Sequence, residues 1–132
     1  MSLPPGGFSW REFMICLLLC SVSLFLYICV VFDRLALKHH FYPVDEFTIG
    51  DLEMVREIVN IIAAAETNGE KCGVHCQFGQ MRTGTILAAY LAYHNKVNGK
   101  EAIKLLSKMR PKSLFSPESE KVICAFAASL NN

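Results

Sequence analysis

Cys76 and Arg82 flank five residues in the string "GVHCQFGQMRTGT", residues 73–85. The same string carries His75, Gly79, Thr83 and Gly84. Its approach, Cys72 to His75, reads as a short strand, and the residues after Arg82 read as a helix. Backbone N–H groups of a turn that feeds a helix N-terminus point inward and form a nest for an anion. Residues Gln77, Phe78, Gly79, Gln80 and Met81 would line that nest, and the Arg82 guanidinium would grip two oxygens of a phosphate or sulfate.

Cys76 lies at the bottom of the nest. The donors that hold an anion also stabilise a thiolate, so the thiol should ionise more readily than a free cysteine. A thiolate held under a phosphate can attack phosphorus in line, forming an S–P bond as the ester P–O bond breaks. Thr83 can place its hydroxyl near the sulfur and help it leave when water releases the phosphate. His75 reads as packing beneath the loop and fixing its shape rather than acting as a base. A cysteine and an arginine at this spacing alone occur by chance in many proteins. The ordered string on a strand–loop–helix is what makes the signal specific.

The elements that must hold this loop are legible as helical stripes. Leu52, Val55, Ile58, Val59 and Ile62 recur at helical spacing, capped by Thr48 or Asp51 and ended at Asn68-Gly69. Thr83 to His94 reads as a buried helix, broken at Asn98-Gly99. Ala102, Ile103, Leu106 and Met109 mark another helix, stopped by Pro111. A last one opens at Ser116-Pro117 with the stripe Val122, Ile123, Phe126 and Leu130. An extended stretch around Leu35 to Val44 is limited by Pro43 to a sheet edge or strand end.

Composition excludes several classes. A formal net charge of +1 gives no electrostatic footprint for nucleic acid. The six cysteines make neither a CxxC pair nor a zinc-ligand spacing with histidines. They suit a reducing compartment rather than a disulfide framework, and Cys72 and Cys124 read as core residues. No metal or cofactor is called for.

The hydropathy is concentrated in Phe13 to Phe32, twenty residues without charge, Pro or Gly, after a loose leader at residues 1–12. A run of about 20 apolar residues spans a bilayer core as a helix. A secretory signal would be shorter and would end in a small-residue cleavage site, whereas this run meets Asp33-Arg34. Arg34 and Lys38 beyond it would set the following domain on the cytosolic side.

The loop string "VHCQFGQMRTGT" resembles the signature of the Cys-dependent protein tyrosine phosphatases, in particular the small atypical dual-specificity type. So does "ILAAYLAYHNKVNGKEAIKLLSKMRPKS" with its Arg110, Pro111 and Ser113, the helix after "SPESEK", and the opening "PPGGFSW". The resemblance covers roughly residues 42–132 and the first ten or so. It implies an α/β fold with a central sheet flanked by helices, and a catalytic domain over 35–132. The apolar run stands where that family has its first strands. The domain is therefore expected to lack N-terminal strands and to follow an apolar membrane-like helix, unless an unusual splice or a mistaken gene model put the run there. The resemblance also implies a carboxylic acid upstream that protonates the leaving oxygen and later activates water. Counting back without gaps places it on Glu46, followed by Phe47, and Asp45 could serve if the loop shifts.

Three functions compete on these grounds. The first is a phosphatase acting on phosphotyrosine and phosphoserine or phosphothreonine in proteins. The second is a pseudophosphatase that binds phosphoproteins without turnover. The third is a membrane-anchored phosphoinositide phosphatase; Gln77, Phe78, Gln80 and Met81 bring no lysine for a polyphosphorylated head group, which counts against it. Lys100, Lys104, Lys108, Arg110 and Lys112 read as a solvated helix face that could also meet acidic substrates. The sequence fixes neither the substrate nor the oligomeric state.

Overall fold

The computed structural model describes residues 14–19, 37–44, 51–76 and 79–132. Three short strands form one parallel sheet: β1 (Met14–Leu19), β2 (His39–Phe41) and β3 (Lys71–Cys76), in the order β2-β1-β3. Cys16 lies opposite His39, and Leu19 lies opposite Cys76. Four helices accompany them among the described residues: α1 (Leu52–Thr67), α2 (Met81–Asn95), α3 (Gly99–Met109) and α4 (Pro117–Ser129).

Part of the apolar run therefore enters the sheet. Met14–Leu19 are strand, not helix, and they pair with both other strands. This corrects the expected helix over Phe13–Phe32 for those six residues. The other residues of that run, and the leader at 1–12, lie outside the described ones. The strand also corrects the expectation of a domain confined to 35–132, because the sheet draws on residues 14–19. No helix among the described residues is long and apolar enough to cross a membrane. The Cys76 strand stands at one edge of the sheet among the described residues, with β1 in the middle. The short β2, ending before Pro43, is the opposite edge, as the proline requires.

Local chemistry explains where the helices begin and end. Asp51 caps α1, its carboxylate accepting from the Met54 amide at 2.8 Å. Gly69, at φ +73°, turns the chain out of α1 toward β3. The break after α2 falls earlier than expected. Lys96 takes the left-handed conformation (φ 53°, ψ 44°) as the helix C-cap. Asn98 instead starts α3, accepting from the Glu101 amide at 3.0 Å. Ser116 and Ser119 exchange side-chain-to-backbone bonds in a capping box with Pro117 at the first turn of α4.

Two apolar clusters hold these pieces together. Val55, Ile58, Val59 and Ile62 of α1 pack on Ile86, Ala89 and Tyr90 of α2 and Phe126 of α4, with Cys72 and Val74 of β3 against them. Ala88, Leu91 and Ala92 of α2 pack on Ala102 and Leu106 of α3 and on Ile123 and Ala127 of α4. Helix α2 belongs to both, which is why its small residues are buried nearly all round. Two stripe positions read as core are at the surface: Met109 is 52% exposed and Leu130 39%. Each sits at the last turn or cap of its helix, past the packed face.

Helices α3 and α4 meet at Gly99. A Cβ there would stand 2.6 Å from Cys124 Cα and 2.8 Å from its sulfur. Gly99→Ala should therefore push two backbones apart and destabilise the fold by about 1–3 kcal/mol. Urea unfolding followed by circular dichroism checks this as a lower midpoint at unchanged slope.

Candidate functional site

Strand β3 delivers Cys76 at its last residue, buried beneath the start of α2. Gln77 and Phe78 lie outside the described residues. The chain then passes through Gly79 at φ +67°, a conformation that costs a residue with a Cβ and costs glycine little. Gln80 is the N-cap of α2 and makes no side-chain cap bond. The first amides of the helix are thus turned toward the cysteine rather than covered by a cap.

The sulfur collects donors from this turn. Gly79 N–H donates to Cys76 Sγ at 3.2 Å, and the Thr83 hydroxyl donates at 3.1 Å. Burial pushes the thiol pKa up. The Thr83 hydroxyl and the backbone N–H groups of Thr83, Gly79 and Gln80 outweigh that, and the net direction is down. Cys72, four residues earlier on the same strand, goes the other way: burial pushes its thiol up to about 11. The contrast separates a thiol whose anion is favoured by donors from one packed as a small apolar group, the role read for Cys72 from the sequence.

The structure brings together most of what the sequence singled out. Arg82 and Thr83 are buried in the first turn of α2, at 7% and 2% exposure. Thr85 is fully buried and its hydroxyl donates to the Met81 carbonyl at 2.8 Å. His75 is half-buried beside Cys76. Burial lowers its pKa, and a hydrogen bond to the Cys76 backbone opposes this without reversing it. Asp45 and Glu46 lie outside the described residues. Among the described residues no group of His, Cys, Asp and Glu could hold a metal ion.

One participant was not recognised from spacing. Arg110, at the C-cap of α3, has its Nη2 atom 3.4 Å from where a Cβ on Gly79 would be. Its Nη1 donates to the Ser113 hydroxyl at 3.0 Å. Ser113 is buried and presses on Gly84, where a Cβ would come within 3.2 Å of Ser113 Cβ. The sequence signal is the Arg-Pro-x-Ser string, which reads as a helix stop and a point of resemblance, with Arg110 counted in the solvated basic face. The other cations of that series, Lys100, Lys104, Lys108 and Lys112, are exposed, as a solvated face should be. Arg110 and Cys72 also line an apolar cavity of about 360 Å³ between β3, α2 and α3.

Comparison with known proteins places this geometry. The family described as dual specificity phosphatase, catalytic domain, matches residues 36–127. The chain belongs to that family. Curated relatives include the tyrosine-protein phosphatase CDC14 homolog of Schizosaccharomyces pombe, 29% identical over 87 residues, or 66% of this chain and 16% of that protein. The tyrosine-protein phosphatase CDC14 of Saccharomyces cerevisiae is 32% identical over 90 residues, again 66% of this chain and 16% of the relative. This chain thus spans about one sixth of the length of the relatives it matches. Among solved structures, Tk-PTP in its active form superposes with a TM-score of 0.81 at 24% identity, over 90% of this chain and 81% of that one. PTPMT1 in complex with PI(5)P superposes with a TM-score of 0.79 at 18% identity, over 90% and 79%. These likenesses show a protein-tyrosine-phosphatase-like α/β fold.

The Thr83 hydroxyl is the one side-chain donor to the sulfur among the described residues. A hydrogen bond to a charged group is worth about 1.5–3 kcal/mol. Thr83→Ala should therefore move the pH midpoint of Cys76 alkylation upward, because fewer donors favour the thiolate. Iodoacetamide reaction rates measured against pH check the direction.

Proposed function

We propose that the chain is a protein phosphatase that hydrolyses phosphotyrosine and phosphoserine or phosphothreonine through a cysteinyl-phosphate intermediate. The observation that carries this reading is the donor set on the Cys76 sulfur, which favours its ionised form at the mouth of a helix N-terminus. Phosphoprotein substrates follow from membership of the dual specificity family. Within that family we infer that the chain is of the small atypical type and resembles dual specificity protein phosphatase 23, on its opening "PPGGFSW" and its loop string.

In the first step the Cys76 thiolate attacks phosphorus, and the ester oxygen leaves with a proton from Glu46 or Asp45. Arg82 and the amides of residues 77–81 hold the equatorial oxygens while charge builds on them. In the second step water attacks phosphorus, the same carboxylate accepts its proton, and sulfur leaves as a thiolate. The Thr83 hydroxyl donates to that developing charge, and His75 keeps the loop in shape. A thiolate base form and a protonated carboxyl coexist at mildly acidic pH, so the rate should follow a bell there. The alternative is a phosphate-binding pseudophosphatase, in which the cradle works and no carboxylate reaches it. Cytosolic placement of the domain belongs to the same proposal and rests on the cysteine usage, which suits a reducing compartment; with Met14–Leu19 in the sheet, a membrane span over residues 13–32 is not part of it.

The full chain assayed with p-nitrophenyl phosphate tests these readings. Wild type should turn over, Cys76→Ser should be inactive, and Arg82→Lys should lose at least roughly a hundredfold, as misplacing a binding group does. Of Glu46→Gln and Asp45→Asn, the one that removes the basic limb of the pH profile marks the acid, because that limb reports loss of the carboxyl proton. A folded wild type with phosphate binding and no turnover would leave the pseudophosphatase.

A further inference from the structure

The guanidinium of Arg110 is held between two parts of the cradle that are remote from it in sequence. One prong, Nη2, lies over Gly79, whose amide donates to the Cys76 sulfur. The other, Nη1, donates to Ser113, which is itself anchored by its amide to the Arg110 carbonyl at 3.0 Å and packed on Gly84 in the first turn of α2. Gly79 precedes that turn and Gly84 lies inside it. A planar fork with fixed spacing between its nitrogens can brace both, which a single ammonium cannot. Gly79 also needs bracing, because a glycine loses the most conformational freedom on being fixed.

We propose that Arg110 is a positioning residue for the phosphate loop: with Ser113 it clamps Gly79 against the first turn of α2 and keeps the loop amides set for a phosphoryl group. This rests on reading the loop as a phosphoryl site. Arg110 does not need to touch the phosphate. Its effect is on how much of the binding free energy is lost to ordering the loop when the anion arrives. Loss of the clamp should therefore weaken phosphate and substrate together and leave the chemical step largely unchanged.

Full-length wild type, Arg110→Ala, Arg110→Lys and Ser113→Ala are compared, with circular dichroism to establish folding. Protection of Cys76 from iodoacetamide by inorganic phosphate at fixed pH gives the phosphate affinity without requiring turnover. Arg110→Ala should weaken phosphate roughly tenfold and raise the KM for p-nitrophenyl phosphate in parallel, with kcat within about threefold, the pattern of lost uniform binding. Arg110→Lys should fail to rescue, and Ser113→Ala should shift both quantities in the same direction by less. Rescue by lysine, or phosphate protection unchanged in folded Arg110→Ala, would overturn the clamp. If Arg110→Ala does not fold, Arg110→Lys and Ser113→Ala decide by the same measure. A folded wild type that binds phosphate without turnover would sink the phosphatase reading while leaving the clamp to be judged on protection alone.

Discussion

The balance at the Cys76 sulfur sets the terms for everything around it. Burial pushes a thiol toward its neutral form, as it does for Cys72 on the same strand. Only donors packed tightly enough to replace water can reverse that, and the turn from Gly79 to Thr83 supplies them from its own backbone and one hydroxyl. For those amides to converge, the chain must leave β3 and enter α2 with no cap over the helix start. That requires a glycine at positive φ and a first turn pinned by neighbours. The burial of Thr83 and Thr85, and the close approach of Ser113 to Gly84, are how the pinning is done. The sheet and the outer helices act on the sulfur through this one turn.

The apolar run shows why hydropathy alone does not choose between a helix and a buried strand. A span of twenty uncharged residues satisfies the length criterion for a bilayer helix. Strands of a parallel sheet also read as continuous apolar stretches, because both faces are covered. Periodicity cannot separate the two, since neither polar alternation nor a polar helical face is present. Pairing decides for Met14–Leu19, and pairing depends on β2 and β3, which lie 20 or more residues downstream. The helices were far more legible. Asp51, Asn98, Ser116 and Pro117 each state a boundary locally, and only the end of α2 at Lys96 hid, because a non-glycine residue took the left-handed turn.

Legibility of the site followed the same division. Cys76, Arg82 and Thr83 are contiguous, so their spacing encodes the geometry. Arg110 reaches the loop only because α2, α3 and the turn after α3 fold back on one another, and no spacing rule spans that path. The Arg-Pro-x-Ser string did mark the place, but as a helix stop. The carboxylate is the opposite case: its position was inferred from resemblance by counting, and Asp45 and Glu46 lie outside the described residues.

The turn from Arg82 to Thr85 closes the cradle and belongs to the core at once. Binding loops are commonly drawn from the least stable parts of a fold, opening many times for each global unfolding event. Here the amides of Gly79 to Met81 that would face an anion run directly into a helical turn, Arg82 to Thr85, whose side chains are sealed in the interior. Their exchange with solvent deuterium should track that of the surrounding core, not that of a surface loop. Heat or denaturant then has no separate melting of the cradle to exploit, and loss of the site and loss of the fold become a single event.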